Sequence, residues 1–166
     1  MDGLDVRSKK KKHMPGCVFS LSGSDLDLDE ALSLLTFQPY MTHRRGDPIE
    51  GRPGHFYEDS GLSVMASEAS GDQLWRQLDE ADAFLSVHGP ELAKISGIED
   101  ASLDFGYFCR IGMGPDENRT IVQGEHIEPS LLKKCGELGI GISLSLYPPS
   151  EPDSRTESEQ GGDGDA

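Results

Sequence analysis

Five residues in one short stretch are the chain's best candidates for chemistry: His43, Arg44, Arg45, Arg52 and His55 fall within thirteen positions. Arginine presents a planar fork of donors that grips carboxylate or phosphate in bidentate fashion, and histidine titrates near neutrality. The stretch therefore reads as a candidate site for a small anion or an acidic peptide. In an enzyme version, His43 or His55 would act as the general base and the arginines as the anion clamp. The competing reading pairs these side chains internally with Asp47, Glu50, Glu58 and Asp59, as surface charges commonly do.

Other constellations are incomplete. Asp25, Asp27 and Asp29 imitate the first three ligands of a calcium loop, but Glu30 replaces the glycine at position six and Thr36 the bidentate glutamate at position twelve. A helix start decorated with acids explains the same residues. The histidines His13, His43, His55, His88 and His126 include no pair three or four residues apart that would put two metal ligands on one helix face. His88 reads as a helix C-terminal histidine interacting with the dipole. Cys17, Cys109 and Cys135 are odd in number and widely spaced, which reads as small buried hydrophobes of a reducing compartment. No G-x-S-x-G elbow or S-x-x-K motif is present, and Gly112 and Gly114 match neither phosphate-binding fingerprint. The expectation is no catalytic residue, no metal and no cofactor.

Those candidates must be positioned by the surrounding elements. Cys17, Phe19 and Leu21 alternate with Val18, Ser20 and Ser22, which predicts a strand with one buried face, ending at Gly23. Asp27 with Glu30 three residues on forms a capping-box-like start for a short helix carrying Ala31, Leu32, Leu34 and Leu35. From Thr36 to Ser60 no period is visible, and Pro39, Pro48, Pro53, Gly46, Gly51 and Gly54 interrupt any element. A loop of that length is the natural place for a site. A second strand is predicted at 61–66. A helix follows with Leu74, Trp75, Leu78, Ala81 and Leu85 as its buried stripe, stopped by Gly89-Pro90.

The longest strand is predicted at 101–111, with Leu103, Phe105, Tyr107, Cys109 and Ile111 on one face. A turn-rich stretch over 112–120 leads to a short edge strand at Ile121 and Val122. Pro129 opens a last helix with Leu131, Leu132, Cys135 and Leu138 on its stripe, Gly139 ends it, and Ile142, Leu144 and Leu146 alternate in a final strand. The order predicts an α+β single domain of split βαβ type, with a mixed sheet of about four to five strands and helices mainly on one face.

Charge sharpens the boundaries. The chain carries −15, and nine Lys/Arg against 22 Asp/Glu leave −13 over residues 14–147. Residues 1–13, with Lys9 to Lys12, are expected to form a disordered basic arm, residues 14–149 the folded domain, and residues 150–166 a disordered acidic tail. Met14 directly follows the arm and is a candidate initiator. The acidic body repels nucleic acid and anionic lipid and favours a basic protein partner. No secretory signal and no apolar stretch near membrane-spanning length is seen, so the expected location is the cytoplasm.

Two stretches carry a family resemblance: FSLSGSDLDLDEALSLLTFQPYMTHRRGD from Phe19 to Asp47, and IEPSLLKKCGELGIGISLSLY from Ile127 to Tyr147. They resemble the bacterial domain of unknown function 4279. The shared pattern runs through Gly23, Asp25, Asp29, Leu35, Pro39, Gly46, Leu131, Leu132 and Tyr147. The chain departs from it in the second strand, where a tryptophan near Val64 is missing. The resemblance implies a cytoplasmic α/β domain and supplies no catalytic residues.

The function expected from these readings is a noncatalytic protein-binding or interaction module. One specific version is a toxin-neutralising immunity protein whose acidic surface meets a basic toxin. The alternative is a small enzyme or anion-binding domain with its site in the 36–60 loop.

Overall fold

The alternation at the start of the body becomes β1 (Cys17–Gly23), which buries Cys17, Phe19 and Leu21 and leaves Val18, Ser20 and Ser22 half-buried on the opposite face, as a period of two requires. The computed structural model describes residues 16–112 and 122–148. The expected basic arm, the acidic tail, Met14 and the turn residues 113–120 lie outside them.

Asp27 caps α1 (Leu28–Leu34), its carboxylate accepting from the backbone amides of Asp29 and Glu30 at 3.0 Å each. The chain then forms β2 (Met41–His43), β3 (Ser60–Ser67), α2 (Leu74–Leu92), β4 (Asp100–Phe108), α3 (Pro129–Leu138) and β5 (Gly141–Tyr147). The strands make one sheet in the order β2-β3-β1-β4-β5. β1 runs antiparallel to both its neighbours, so β3 and β4 are mutually parallel with β1 between them, a split βαβ unit closed by α2. β4 and β5 are parallel and adjacent, joined through α3. The architecture is α+β.

All three helices contribute to a single core: Leu28 and Ala31, Leu78, Ala81 and Leu85, and Leu131 and Cys135 join Phe19, Leu62, Leu103 and Phe105 of the strands. The opposite sheet face is polar. There Ser20 and Ser63 share a hydrogen bond of 2.9 Å, and Ser145 donates to Asp104 at 2.7 Å.

Several expectations are corrected. Trp75 is 61% exposed, while the buried stripe of α2 runs Leu74, Gln77, Leu78, Ala81, Leu85. Trp75 stands about 100° round the helix from Leu74, off the core side. α2 does not stop at Gly89: it runs to Leu92 with Pro90 inside, and the Ala93 amide still reaches the Gly89 carbonyl at 2.9 Å. Pro90 sits in the last turn, where the missing N–H costs a single ladder bond. β4 ends at Phe108, short of Ile111, which is exposed. Leu144 and Leu146 of β5 are exposed as well, at the edge of the sheet where the helices do not cover them, and Leu132 is exposed on α3, whose buried positions are Leu131 and Cys135. Val122 is coil rather than edge strand, and Ile121 lies outside the described residues. α3 begins with Pro129 and is capped by Gly139 at φ 68°, as the sequence predicts.

Candidate functional site

The 36–60 segment is not a structureless loop. β2 pairs with β3, Met41 opposite Ser63 and His43 opposite Gly61, and the ladder continues outward. Gly46 donates to the Tyr57 carbonyl at 2.8 Å, Tyr57 to the Asp47 carbonyl at 2.9 Å, and Ile49 to the His55 carbonyl at 2.9 Å. Pro48 bridges to Phe56. The tip is folded by bonds from Arg52 to Ile49 and from His55 to Arg52, both 3.1 Å. The result is a hairpin arm. Gly51 and Gly54 supply positive φ of 74° and 81° at the tip, which only glycine adopts without strain. Proline and glycine hid this element from a search for alternation.

The arm separates the five candidate residues. His43 lies at the root with its ring stacked on Tyr57, centroids 4.1 Å apart. Its Nε2 is 3.1 Å from Asp59 Oδ1. Its Nδ1 is buried and has no hydrogen-bond partner among the described residues. Nε2 is engaged by Asp59 and Nδ1 is enclosed, so the ring is held in place as a brace. The Ser22 hydroxyl, and beyond it His43, hold the Asp59 carboxyl below its ordinary value against the opposing effect of burial.

Arg44 turns away from the arm to α1. Its guanidinium grips Asp29 through two bonds, 2.7 and 3.1 Å. That clamp lowers the Asp29 carboxyl and raises the guanidinium. The internal-pairing expectation thus holds for Arg44 with a different acid from those named, and for His43 with Asp59. Arg45, Arg52 and His55 are exposed, and among the described residues their side chains form no ion pair. Surface depressions occur elsewhere, one beside Ser67, Gln73, Arg76 and Glu80 and another beside Asp79, Asp82, Glu128 and Ser130. Among the described residues no three His, Cys, Asp or Glu side chains form a group able to hold a metal ion.

A family model, the domain of unknown function DUF4279, matches residues 11–149. The chain belongs to this family. No curated protein and no solved structure matches it. Several positions that carry the DUF4279 resemblance have structural tasks. A Cβ on Gly23 would collide with the Gly97 carbonyl, and one on Gly97 would lie 2.6 Å from the Asp25 carbonyl oxygen. Asp29 anchors Arg44, Leu131 is in the core, and the Tyr147 carbonyl accepts from the Cys109 amide at 2.9 Å. Within the DUF4279 domain no helix among the described residues is long and apolar enough to cross a membrane.

Sequence reasoning named Asp59 among the pairing candidates but missed two other residues that brace the arm: Tyr57 as the stacking partner of His43 and Asp29 as the far anchor of Arg44. A stretch holding nine acids and bases gives no signal of which pair meets. It also missed Gln77, which is fully buried and donates to the carbonyls of Ala69, Ser70 and Gly106 at 2.8 to 3.2 Å. His88 meets Glu91 at 3.3 Å and packs edge-on to Phe37, so a carboxylate accompanies it at the helix end.

Proposed function

We infer that the protein is a noncatalytic, cytoplasmic protein-binding module whose contact element is the hairpin arm between β2 and β3. One observation carries the reading: Phe56, 58% exposed, stands on an arm whose root is already braced by Arg44 on Asp29 and by His43 between Tyr57 and Asp59. An aromatic side chain offered on a preorganised element favours association, because little ordering cost remains at binding. Arg45, Arg52 and His55 are exposed on the same arm. The body's −13 draws in a basic protein, which in the immunity version is a basic toxin. The free cysteines, with Cys17 and Cys135 buried, support a reducing compartment. The enzyme alternative loses support from the engagement of His43 by Asp59 and Tyr57 and from the clamping of Arg44 on Asp29.

Affinity capture from the native host, followed by mass spectrometry, tests this. A basic protein recovered by the wild-type chain and lost with Phe56→Ala or Phe56→Ser supports the reading. Recovery unaffected by the arm substitutions contradicts it.

A further inference from the structure

β5 is the outer strand of the sheet, bonded among the described residues to β4 alone. The Cys109 amide donates to the Tyr147 carbonyl, so Tyr147 turns its backbone toward β4. Backbone direction alternates along a strand, and Gly141, Ser143 and Ser145 therefore do the same. Ile142, Leu144 and Leu146 turn their N–H and C=O groups outward, where no described residue meets them.

Edges of this length ordinarily carry a guard such as a lysine, a proline, an inward charge or a bulge. The segment GISLSLY has none. The opposite edge, β2, is three residues long and runs directly into Arg44 and Arg45. Leu144 and Leu146 are 47% and 55% exposed, with Tyr147 exposed next to Leu146 in the strand.

We propose that β5 pairs antiparallel with β5 of a second copy of the chain, centred on Leu144, to make one sheet continuous across a two-fold axis. Turned about Leu144, the strand matches itself: Ile142 falls opposite Leu146, Ser143 opposite Ser145, and Gly141 opposite Tyr147. Apolar side chains meet apolar ones on the helix side, hydroxyls meet hydroxyls on the other, and an aromatic ring covers each glycine. The three outward-facing residues of each copy form the hydrogen-bonded pairs, each pair exchanging both N–H···O bonds. A slip of one residue would set leucines against serines, so the pleat fixes the register. An edge of seven residues spans about 23 Å. Pairing covers the exposed Leu144, Leu146 and Tyr147 of both copies along that edge.

A foreign strand would need its own matching pattern, whereas a second copy supplies it by symmetry. The net charge of −15 repels a second copy, yet no charge lies on the strand itself. That repulsion is long-range and screened by salt. Dimerisation therefore tightens as salt rises, opposite in sign to charge-steered contact with a basic protein.

Sedimentation equilibrium of the full chain, at rising protein and sodium chloride concentrations, tests the interface. The expected result is a monomer–dimer equilibrium that strengthens with salt, and concentration-dependent exchange protection of the Ile142, Leu144 and Leu146 amides. Leu144→Lys sets like charges face to face and should weaken the dimer at least about tenfold, with an unchanged circular dichroism spectrum because the side chain is half-exposed. Phe56→Ala on the arm should leave the equilibrium as it is. A chain that stays monomeric at every concentration and salt overturns the proposal, as does a dimer indifferent to Leu144→Lys.

Discussion

His43 lies flat against Gly61, so close that a methyl group on the glycine would sit 2.6 Å from the ring's Cε1 and 2.8 Å from the Leu21 carbonyl oxygen. The missing side chain lets β2 pack on β3 with an imidazole between the arm root and the sheet. Gly61→Ala forces either the ring or the central strand to move, and overpacking of this kind costs about 1–3 kcal/mol. Urea denaturation should show that loss. A midpoint equal to wild type would mean the root is loosely packed.

Trp75 is the chain's single tryptophan, and its place on the outer side of α2 makes it a stability-neutral position. Trp75→Ala should change unfolding free energy by less than about 0.5 kcal/mol. Leu78→Ala, three residues on and buried, should cost about 2–5 kcal/mol. Thermal denaturation of both variants checks the helix phase. A loss with Trp75→Ala as large as with Leu78→Ala would invert it.

What was legible in the sequence was local. Asp27 at the α1 cap, Pro129 at the start of α3 and Gly139 at its end act through their own backbone geometry and need no neighbour to be read. The alternation of Cys17, Phe19 and Leu21 was readable because one face of β1 meets the core and the other does not. β5 shows the limit of the same argument: Leu144 and Leu146 alternate equally well, yet the helices do not reach them. The arm was illegible because its ladder is carried by backbone groups of a segment rich in proline and glycine, and the choice of Asp29 for Arg44 depends on α1 lying fifteen residues away.

Gln77 could not be assigned from pattern either, since a polar residue on an apolar stripe reads as a surface break. In the fold it ties the 69–71 turn to the end of β4 by donating to three carbonyls. Gln77→Leu keeps the volume and leaves those acceptors without their donor, at about 1–3 kcal/mol for a buried unsatisfied group. Hydrogen exchange should accelerate first at the Phe108 amide, which donates to Gly71 across the same junction. Uniform exchange across the domain would argue against a local clip.

Acid should destabilise the fold through four depressed carboxyls, one of them Asp29 in its clamp with Arg44. Asp59 is held down first by Ser22, Glu80 by Ser67 and then Arg76, and Glu91 by the Thr36 side chain and then its amide. A carboxyl whose folded value lies below its unfolded value favours the native state while ionised in both. The contribution is full at neutral pH, shrinks as pH drops below the ordinary values of 3.8 for Asp and 4.5 for Glu, and is gone beneath the folded values. Urea midpoints measured from pH 7 downward should fall most steeply there, and Asp59→Asn should flatten the slope. A midpoint that rises on acidification reverses the sign.

Arg44 and Arg45 are neighbours in sequence with different tasks, and charge reversal separates them. Arg44→Glu sets a carboxylate against Asp29, with Asp27 and Asp47 near, so the brace between the arm and α1 becomes a repulsion and the arm loosens. Arg45 keeps only a backbone bond to the Ser60 hydroxyl at 3.2 Å, so Arg45→Glu should leave the denaturation curve unchanged. With the captured partner in hand, Arg45→Glu should raise the association rate if that partner is basic and lower it if the partner presents carboxylates, in both cases less as salt is added. The dissociation rate should follow the side chain's direct contacts rather than the net charge. Arg44→Glu should instead slow productive docking of either partner, because a loosened arm must be ordered at binding. Equal effects of the two reversals on stability and on rate would show that Arg44 is a surface charge like its neighbour and that the clamp on Asp29 does not hold the arm.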